Sequence, residues 1–389
     1  MLPNKIRRLL ALTLVLCMLT GAVCAEGTCI MLTEEMYLKA LEYDSPDLGR
    51  LKSVLARALA GEDIVIGTIG GSITQGSSAS VSANCYASRL RDWWKARFSG
   101  NVTLKNAGIG ATDSYLGVHR VYKQLLRYKP DLVIIEFSVN DSASEFYKAS
   151  YDSLVQTVLA EENMPAVMLV FMTMEDGTSA VVQHSAVGKK YRLPMISYRS
   201  AVLSGMREGR FAWQDISPDN IHPNDAGHAL LADMIERYLE DVISRLGSIT
   251  DTPAPFTFAN AKYEGARILN SGNLTADTHS GYMLTNYSML FPGDWQGGKA
   301  GSRLVFTLED CRNVGILYQK LASSPGGSAD IYVDGVKAAT LDADFSGGWG
   351  DYVRGEEVFS SNESGTHTLE ILPTPGRENT FIVLGLMIS

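Results

Sequence analysis

Four short stretches carry the side chains that could do chemistry together. "GGSITQG" (70–76) puts Ser72 in a glycine-rich turn just after the apolar run "IVI". "NAGIGATDS" (106–114) is a second glycine-rich turn, and "SVND" (138–141) offers Asn140. "DNIHPNDAGH" (219–228) places Asp219 three residues before His222. A strand that leaves through glycines is a common site for a phosphate cradle or a nucleophile. A phosphate cradle needs GxxxxGK[ST], or GxGxxG opening a helix, and "GGSITQG" has neither the Lys nor the spacing. A nucleophile fits. Serine attacks an acyl carbon only if a base takes its proton and a third group orients that base. His222 can be the base and Asp219 its partner. The tetrahedral intermediate needs hydrogen-bond donors. The Ser72 N–H, a backbone N–H at Gly110 or Ala111, and the Asn140 amide can supply them.

These residues work only if strands bring them to one edge. Five apolar runs read as strands: 63–70, 101–108, 131–138, 166–173 and 194–198. Helical patterns lie between them at 84–98, 115–128, 150–162 and 180–192, with others at 30–60 and 225–246. Continuous apolar strands alternating with helices mean a parallel sheet covered on both faces. The expectation is α/β: a three-layer α/β/α sandwich with a five-stranded parallel sheet. Ligands bind beyond the carboxyl ends of such strands. Each of the first three runs ends in one of the chemical stretches, and the fourth stretch opens the last helix.

The four blocks, in this order, resemble the SGNH (GDSL-type) hydrolase superfamily over roughly residues 48–245. Gly71 stands where the name-giving motif has Asp. The resemblance implies a flavodoxin-like fold and esterase chemistry with catalytic Ser72, Asp219 and His222. It implies an oxyanion hole of Ser72, Asn140 and the glycine-block turn, in which Ala111 aligns with the family's glycine and Gly110 precedes it. No metal or cofactor is implied.

Other residues near these blocks have plainer readings. His228 sits in the first turn of the last helix, where packing or capping is expected. Asp215 competes with Asp219 but lacks the family spacing. Arg120 and Glu136 are expected as a buried ion pair under the site. Asp113 and Trp213 are candidate substrate-binding residues. Glu161 and Glu162 are adjacent on a helix and read as a solvated face.

The chain has 389 residues, enough for two domains. Residues 1–25 read as a signal peptide: Lys5, Arg7 and Arg8, then the apolar Leu9–Leu19, then small residues up to Ala25. Its removal takes away three positive charges and moves the formal net charge from −9 to −12. The protein is thus expected to be secreted, with no membrane span. So acidic a chain does not suit nucleic acid, which needs clustered Lys and Arg. Five cysteines become three in the mature chain, Cys29, Cys85 and Cys311, with no CxxC. One bridge is possible, but no disulfide framework or zinc site is indicated.

The catalytic unit is expected over 26–248 and a Pro-, Ser- and Thr-containing linker over 249–256. Residues 257–389 hold only short strand-like runs and read as a β-sandwich. Trp295, Trp349 and Tyr352 are its sugar-stacking candidates, or else part of its core. A cut near residue 250 is expected to leave a fragment that folds alone. Secretion plus a sandwich resembles bacterial esterases that remove acetyl groups from plant polysaccharides, so acetylated polysaccharide or oligosaccharide is the expected partner. A lipid esterase of the same superfamily would need an apolar acyl groove, which the sequence does not display. A binding protein with a vestigial hydrolase domain would not need the Ser, Asp, His and Asn.

Overall fold

The computed structural model describes residues 30–389, so the expected signal peptide and Cys29 lie outside the described residues. Strands β1 (Ile64–Gly70), β2 (Val102–Gly108), β3 (Leu132–Glu136), β4 (Ala166–Phe171) and β5 (Met195–Ser197) form a parallel sheet in the order β2-β1-β3-β4-β5. The residues of β3 alternate between two cores. Leu132 and Ile134 face helices Gly49–Leu59, Tyr86–Arg97, Tyr198–Arg207 and Asp225–Ser244. Val133 and Ile135 face helices Ser114–Gln124, Glu145–Leu159 and Val181–Lys190. Both faces are therefore buried, which is why the strand reads as continuously apolar. The expected 30–60 helix is two, Glu34–Ala40 and Gly49–Leu59. "YRSAVLSGMR" forms a further helix directly after β5, capped by the Ser197 side chain.

The rest is all-β and antiparallel. Strands β6 (Arg267–Leu269), β7 (Thr278–Ser280), β8 (Met283–Thr285), β9 (Asp294–Gly297), β10 (Arg303–Lys320), β11 (Ser328–Val333), β12 (Val336–Asp342), β13 (Tyr352–Pro373) and β14 (Phe381–Ile388) join one hydrogen-bonded network. The two long strands, β10 and β13, pair from Leu304↔Ile371 to Lys320↔Tyr352, with register shifts between Leu308 and Gly315. Such bulges bend a strand. Leu304, Phe306, Leu308, Ile316 and Tyr318 serve the sandwich core, whereas Leu317, on the opposite face of the strand, joins the core of the first domain. Trp295 is 1% exposed and meets Phe306 edge-on at 5.0 Å, so it closes the sandwich and cannot stack on sugar. Cys85 and Cys311 are buried free thiols.

The two units share a core. Helix Ser114–Gln124 buries Tyr115, Leu116 and His119 under Tyr263, Leu317, Val353 and Met387 of the sandwich side. A Cβ on Gly315 would lie 2.2 Å from the Tyr115 hydroxyl, so β10 needs glycine where the tyrosine enters. The connecting segment is held along the first domain. Leu48 N–H donates to Asp251 Oδ2 at 3.1 Å, and Arg50 donates to the Ala254 carbonyl at 2.8 Å.

The shared core revises the expected behaviour of a cut at residue 250. Tyr115 and Leu116 each lose burial worth about 1.5–3 kcal/mol. A 30–250 fragment is expected to melt well below the whole chain and to associate through the bared helix. Calorimetry and gel filtration check this; a fragment that melts with the full chain and stays monomeric would contradict the shared core.

Candidate active site

Strand β1 ends at Gly70, between Gly108 of β2 and Glu136 of β3. A Cβ on Gly70 would sit 2.2 Å from Thr74 Oγ1, and one on Gly71 would sit 2.2 Å from Asn140 Oδ1. Only glycine lets the chain turn there. Ser72 then opens the one-turn helix Ser72–Gln75. As the first helical residue it has no partner for its N–H within the helix. Its Oγ lies 2.9 Å from His222 Nε2, and His222 Nδ1 lies 2.8 Å from Asp219 Oδ2. The other Asp219 oxygen accepts the Ile221 and His222 N–H groups, both at 2.7 Å. Burial raises the Asp219 carboxyl, but the His222 N–H, the imidazole and the Ile221 N–H outweigh it and hold it below its ordinary value. An ionised Asp219 keeps the imidazole proton on Nδ1 and leaves Nε2 as acceptor for the Ser72 hydroxyl.

The loop bearing Asp219 and His222 is fixed from behind. Trp213 Nε1 donates to the Asp219 carbonyl at 2.6 Å, and Ser217 Oγ lies 2.7 Å from the carbonyls of both Asp219 and His222. Asn224 caps helix Asp225–Ser244 and also donates to the Asp215 carbonyl at 3.0 Å. Trp213 is 4% exposed, so it braces the loop and does not line a substrate pocket as expected. Asp215 accepts the Ala212 N–H and stays away from His222. His228 is buried; its Nδ1 accepts the Tyr86 N–H and its Nε2 donates to the Ser77 carbonyl. Burial pulls it down to about 4, so it stays neutral as a packing residue.

The glycine-block turn accounts for nearly all its own N–H groups. Gly108 N–H donates to Asn106 Oδ1 at 2.8 Å, Ile109 to the Gly70 carbonyl at 3.1 Å, and Thr112 to the Ile109 carbonyl at 3.4 Å. Gly110 N–H donates to Gln75 Oε1 at 2.6 Å. From Gly108 to Thr112, Ala111 is the one residue whose N–H has no partner within the described residues, and its φ of 58° is left-handed. Asn140 packs on Gly71 with Oδ1 buried and unpartnered, and its Nδ2 is not enclosed. Free donors thus flank Ser72 at its own N–H, at Ala111 N–H and at Asn140 Nδ2. Between Gly110 and Ala111, the alanine is the available one.

Several buried polar groups underlie the site. Asp141 Oδ1 accepts the Ser114 N–H at 2.9 Å, and its Oδ2 meets His184 Nε2 at 2.9 Å with both side chains fully buried. Asp113 accepts the Leu116 N–H and the Tyr147 hydroxyl, so both oxygens face inward and the expected substrate role is not met. Burial and the nearby Asp141 push the Asp113 carboxyl up to about 6. Arg120 does not pair with Glu136. Its guanidinium donates to the carbonyls of Ala107 and Gly70 at 2.5 and 2.9 Å, tying β1 to β2. Glu136 turns instead to the N–H and hydroxyl of Ser138, leaving Oε2 unpartnered. Burial pushes its carboxyl up to about 7. Among the described residues, no three His, Cys, Asp or Glu side chains cluster as metal ligands, and no helix is long and apolar enough to cross a membrane.

Comparison with known proteins places this fold and arrangement in a class of hydrolases. Residues 68–230 match the GDSL-like Lipase/Acylhydrolase family. The chain belongs to that family and is a carboxylic ester hydrolase. It is similar along both domains to a two-domain esterase (CEX) active on acetylated mannans, co-crystallised with mannopentaose. That match has 34% identity, covers 91% of this chain and 98% of the other, and has a TM-score of 0.82. A second structure of such an esterase matches at 33% identity over 91% and 98% of the two chains, with a TM-score of 0.83. Among curated protein sequences, none matches this chain.

Glu136 makes a pH prediction. Its ordinary value is 4.5 and its folded value about 7, so the folded protein keeps a proton that the unfolded chain releases. This contribution is full below pH 4.5 and is lost as pH rises through 7. The loss is about 3 kcal/mol, from about 1.4 kcal/mol per tenfold change in proton affinity. Glu136→Gln keeps an oxygen for Ser138 and has no charge to acquire. Its melting temperature should fall less than that of the parent between pH 5 and 8; parallel curves would show that Glu136 does not titrate there.

Proposed function

We propose that this protein is a secreted esterase that removes acetyl groups from mannan-type polysaccharides or their oligosaccharides. The observation that carries this reading is the similarity across both domains to an esterase active on acetylated mannans. The short contacts from Asp219 through His222 to Ser72 support the chemistry. Ser72 Oγ attacks the acetyl carbon and its proton passes to His222 Nε2. The negative oxygen is held by the N–H groups of Ser72 and Ala111 and by Asn140 Nδ2. The sugar hydroxyl leaves with the proton from His222. Water then attacks the acetyl-serine, giving its proton to His222, and acetate and Ser72 are released. Secretion is supported by the signal-like residues 1–25.

An exposed aromatic cluster on the sandwich supports a polymeric substrate. Trp349 is 71% exposed and stacks on Tyr352 with ring centres 5.0 Å apart, while Phe345 meets both edge-on at 5.8 and 5.2 Å. Exposed apolar surface of this kind marks a binding site, and sugar rings present flat apolar faces to such rings. Tyr287 and Asp351 join the same patch through a 2.7 Å hydrogen bond.

Acetate release from acetylated mannan, acetylated xylan and long-chain acyl esters tests the substrate. Faster release from the mannan is expected, and a preference for long acyl chains would reject the reading. Ser72→Ala should lose at least about 10³-fold in activity with an unchanged melting curve. Asn140→Ala should lower kcat by about 10²–10³-fold with little change in KM. Trp349→Ala should raise KM for the polymer far more than for a small acetyl ester.

A further inference from the structure

The mechanism leaves one polar side chain beside the nucleophile without a role. Gln75 is the last residue of the helix that Ser72 opens, and it is exposed. Its Oε1 accepts the Gly110 N–H at 2.6 Å. The assignment of oxygen to that position is forced, because the opposite amide orientation would set two donors face to face. The helix is also pressed onto the turn elsewhere. Asn106 Nδ2 donates to the Thr74 carbonyl at 2.7 Å, and a Cβ on Gly108 would lie 2.2 Å from the Gln75 nitrogen.

We infer that Gln75 is a positioning residue for the oxyanion hole, holding the Gly110–Ala111 peptides so that the Ala111 N–H points at the reacting carbonyl. The inference rests on the acyl-transfer reading of Ser72. Every other N–H from Gly108 to Thr112 is consumed within the protein, and Gln75 consumes the one adjacent to the free donor. The Ala111 backbone is left-handed, a region that costs an L-residue about 1–2 kcal/mol. The Thr112 N–H and hydroxyl close the turn onto the Ile109 carbonyl from one side, and Gln75 holds the Gly110 N–H from the other. The same contact joins nucleophile and donor in one unit. Ser72 and Gln75 share a single helical turn, so the oxyanion donor is registered against the attacking oxygen through a few covalent bonds and one hydrogen bond.

The test is steady-state hydrolysis of a small acetyl ester by the full chain, with Gln75→Leu, Gln75→Glu and Ser72→Ala measured together. Gln75→Leu has similar bulk and no acceptor. It should lower kcat about tenfold with KM within about twofold and an unchanged melting curve, a smaller loss than the 10²–10³-fold seen when a donor is deleted outright. Gln75→Glu keeps an acceptor. Protonated, it should work nearly as well as the parent; ionised, it sets a negative charge beside the developing oxyanion. Its kcat divided by the parent's should therefore fall as pH rises through the carboxyl's titration, a signature that a merely structural role would not give. A parental kcat in Gln75→Leu, a flat ratio for Gln75→Glu, or a KM rise at constant kcat overturns the inference, the last by making Gln75 a substrate contact. Retained activity in Ser72→Ala would instead reject the acyl-transfer reading itself, so the two failures are told apart.

Discussion

The lack of lateral room at the end of β1 governs the site. The strand lies between β2 and β3 and must stop, turn and start a helix within two residues. Gly70 has the Glu136 carbonyl 2.4 Å from where a Cβ would be, and Gly71 has Asn140 in that place. Because no side chain fits, neighbouring groups close in on the turn. Asn140 comes to rest against the residue before Ser72, and Thr74 drops into the space above Gly70. The crowding that excludes side chains is what brings an amide donor beside Ser72. Arg120 secures the same corner from below by gathering the carbonyls of Gly70 and Ala107.

Helix Ser114–Gln124 carries that corner outward. It leaves the glycine-rich turn directly, with Asp113 as its cap and the Ser114 N–H held by Asp141. Its far side is covered by the sandwich instead of water. Arg354 of β13 draws the Asp113 carboxyl down, against burial, so charge as well as packing links the two units at this helix. The connecting segment adds hydrogen bonds to the first domain and little freedom. The all-β unit is thus a fourth layer on the catalytic sheet.

The sheet and the candidate residues were legible because both rest on local patterns. Apolar runs mark strands buried on both faces, and the turns after them carry polar residues with no packing reason to be there. What was not legible depends on direction and distance. Trp213 beside the Asp219 loop looks the same whether its ring faces substrate or, as here, gives its N–H to a backbone carbonyl. Arg120 and Glu136 suit an ion pair by type, yet carbonyls and Ser138 claim them first. Trp295 and Trp349 are alike in sequence, and only the placing of one on strand β9 and the other in the loop between β12 and β13 puts the first inside and the second out. The covering of helix Ser114–Gln124 had a weak signal in "SYLGVHRVY", whose apolar residues occur on more than one face. His119 and Arg120 disguised it, because polar side chains read as surface, although burial here keeps the His119 imidazole neutral, pulled down to about 4.

The protons held under the sheet have a chemical setting. Every turnover of an ester hydrolase releases a carboxylic acid, so an active population sours its surroundings. Many proteins meet that drift with structural carboxylates that must be kept ionised. Here Glu136 and Asp113 sit where water cannot solvate a charge, and each favours its neutral form inside the fold. As the medium slips from slightly alkaline toward slightly acidic, these two groups tighten the catalytic layer. Burial also holds the His119 and His228 imidazoles neutral, pulled down to about 4, and these resist acidification instead, so the acid released by turnover meets opposing responses in the scaffold that makes it.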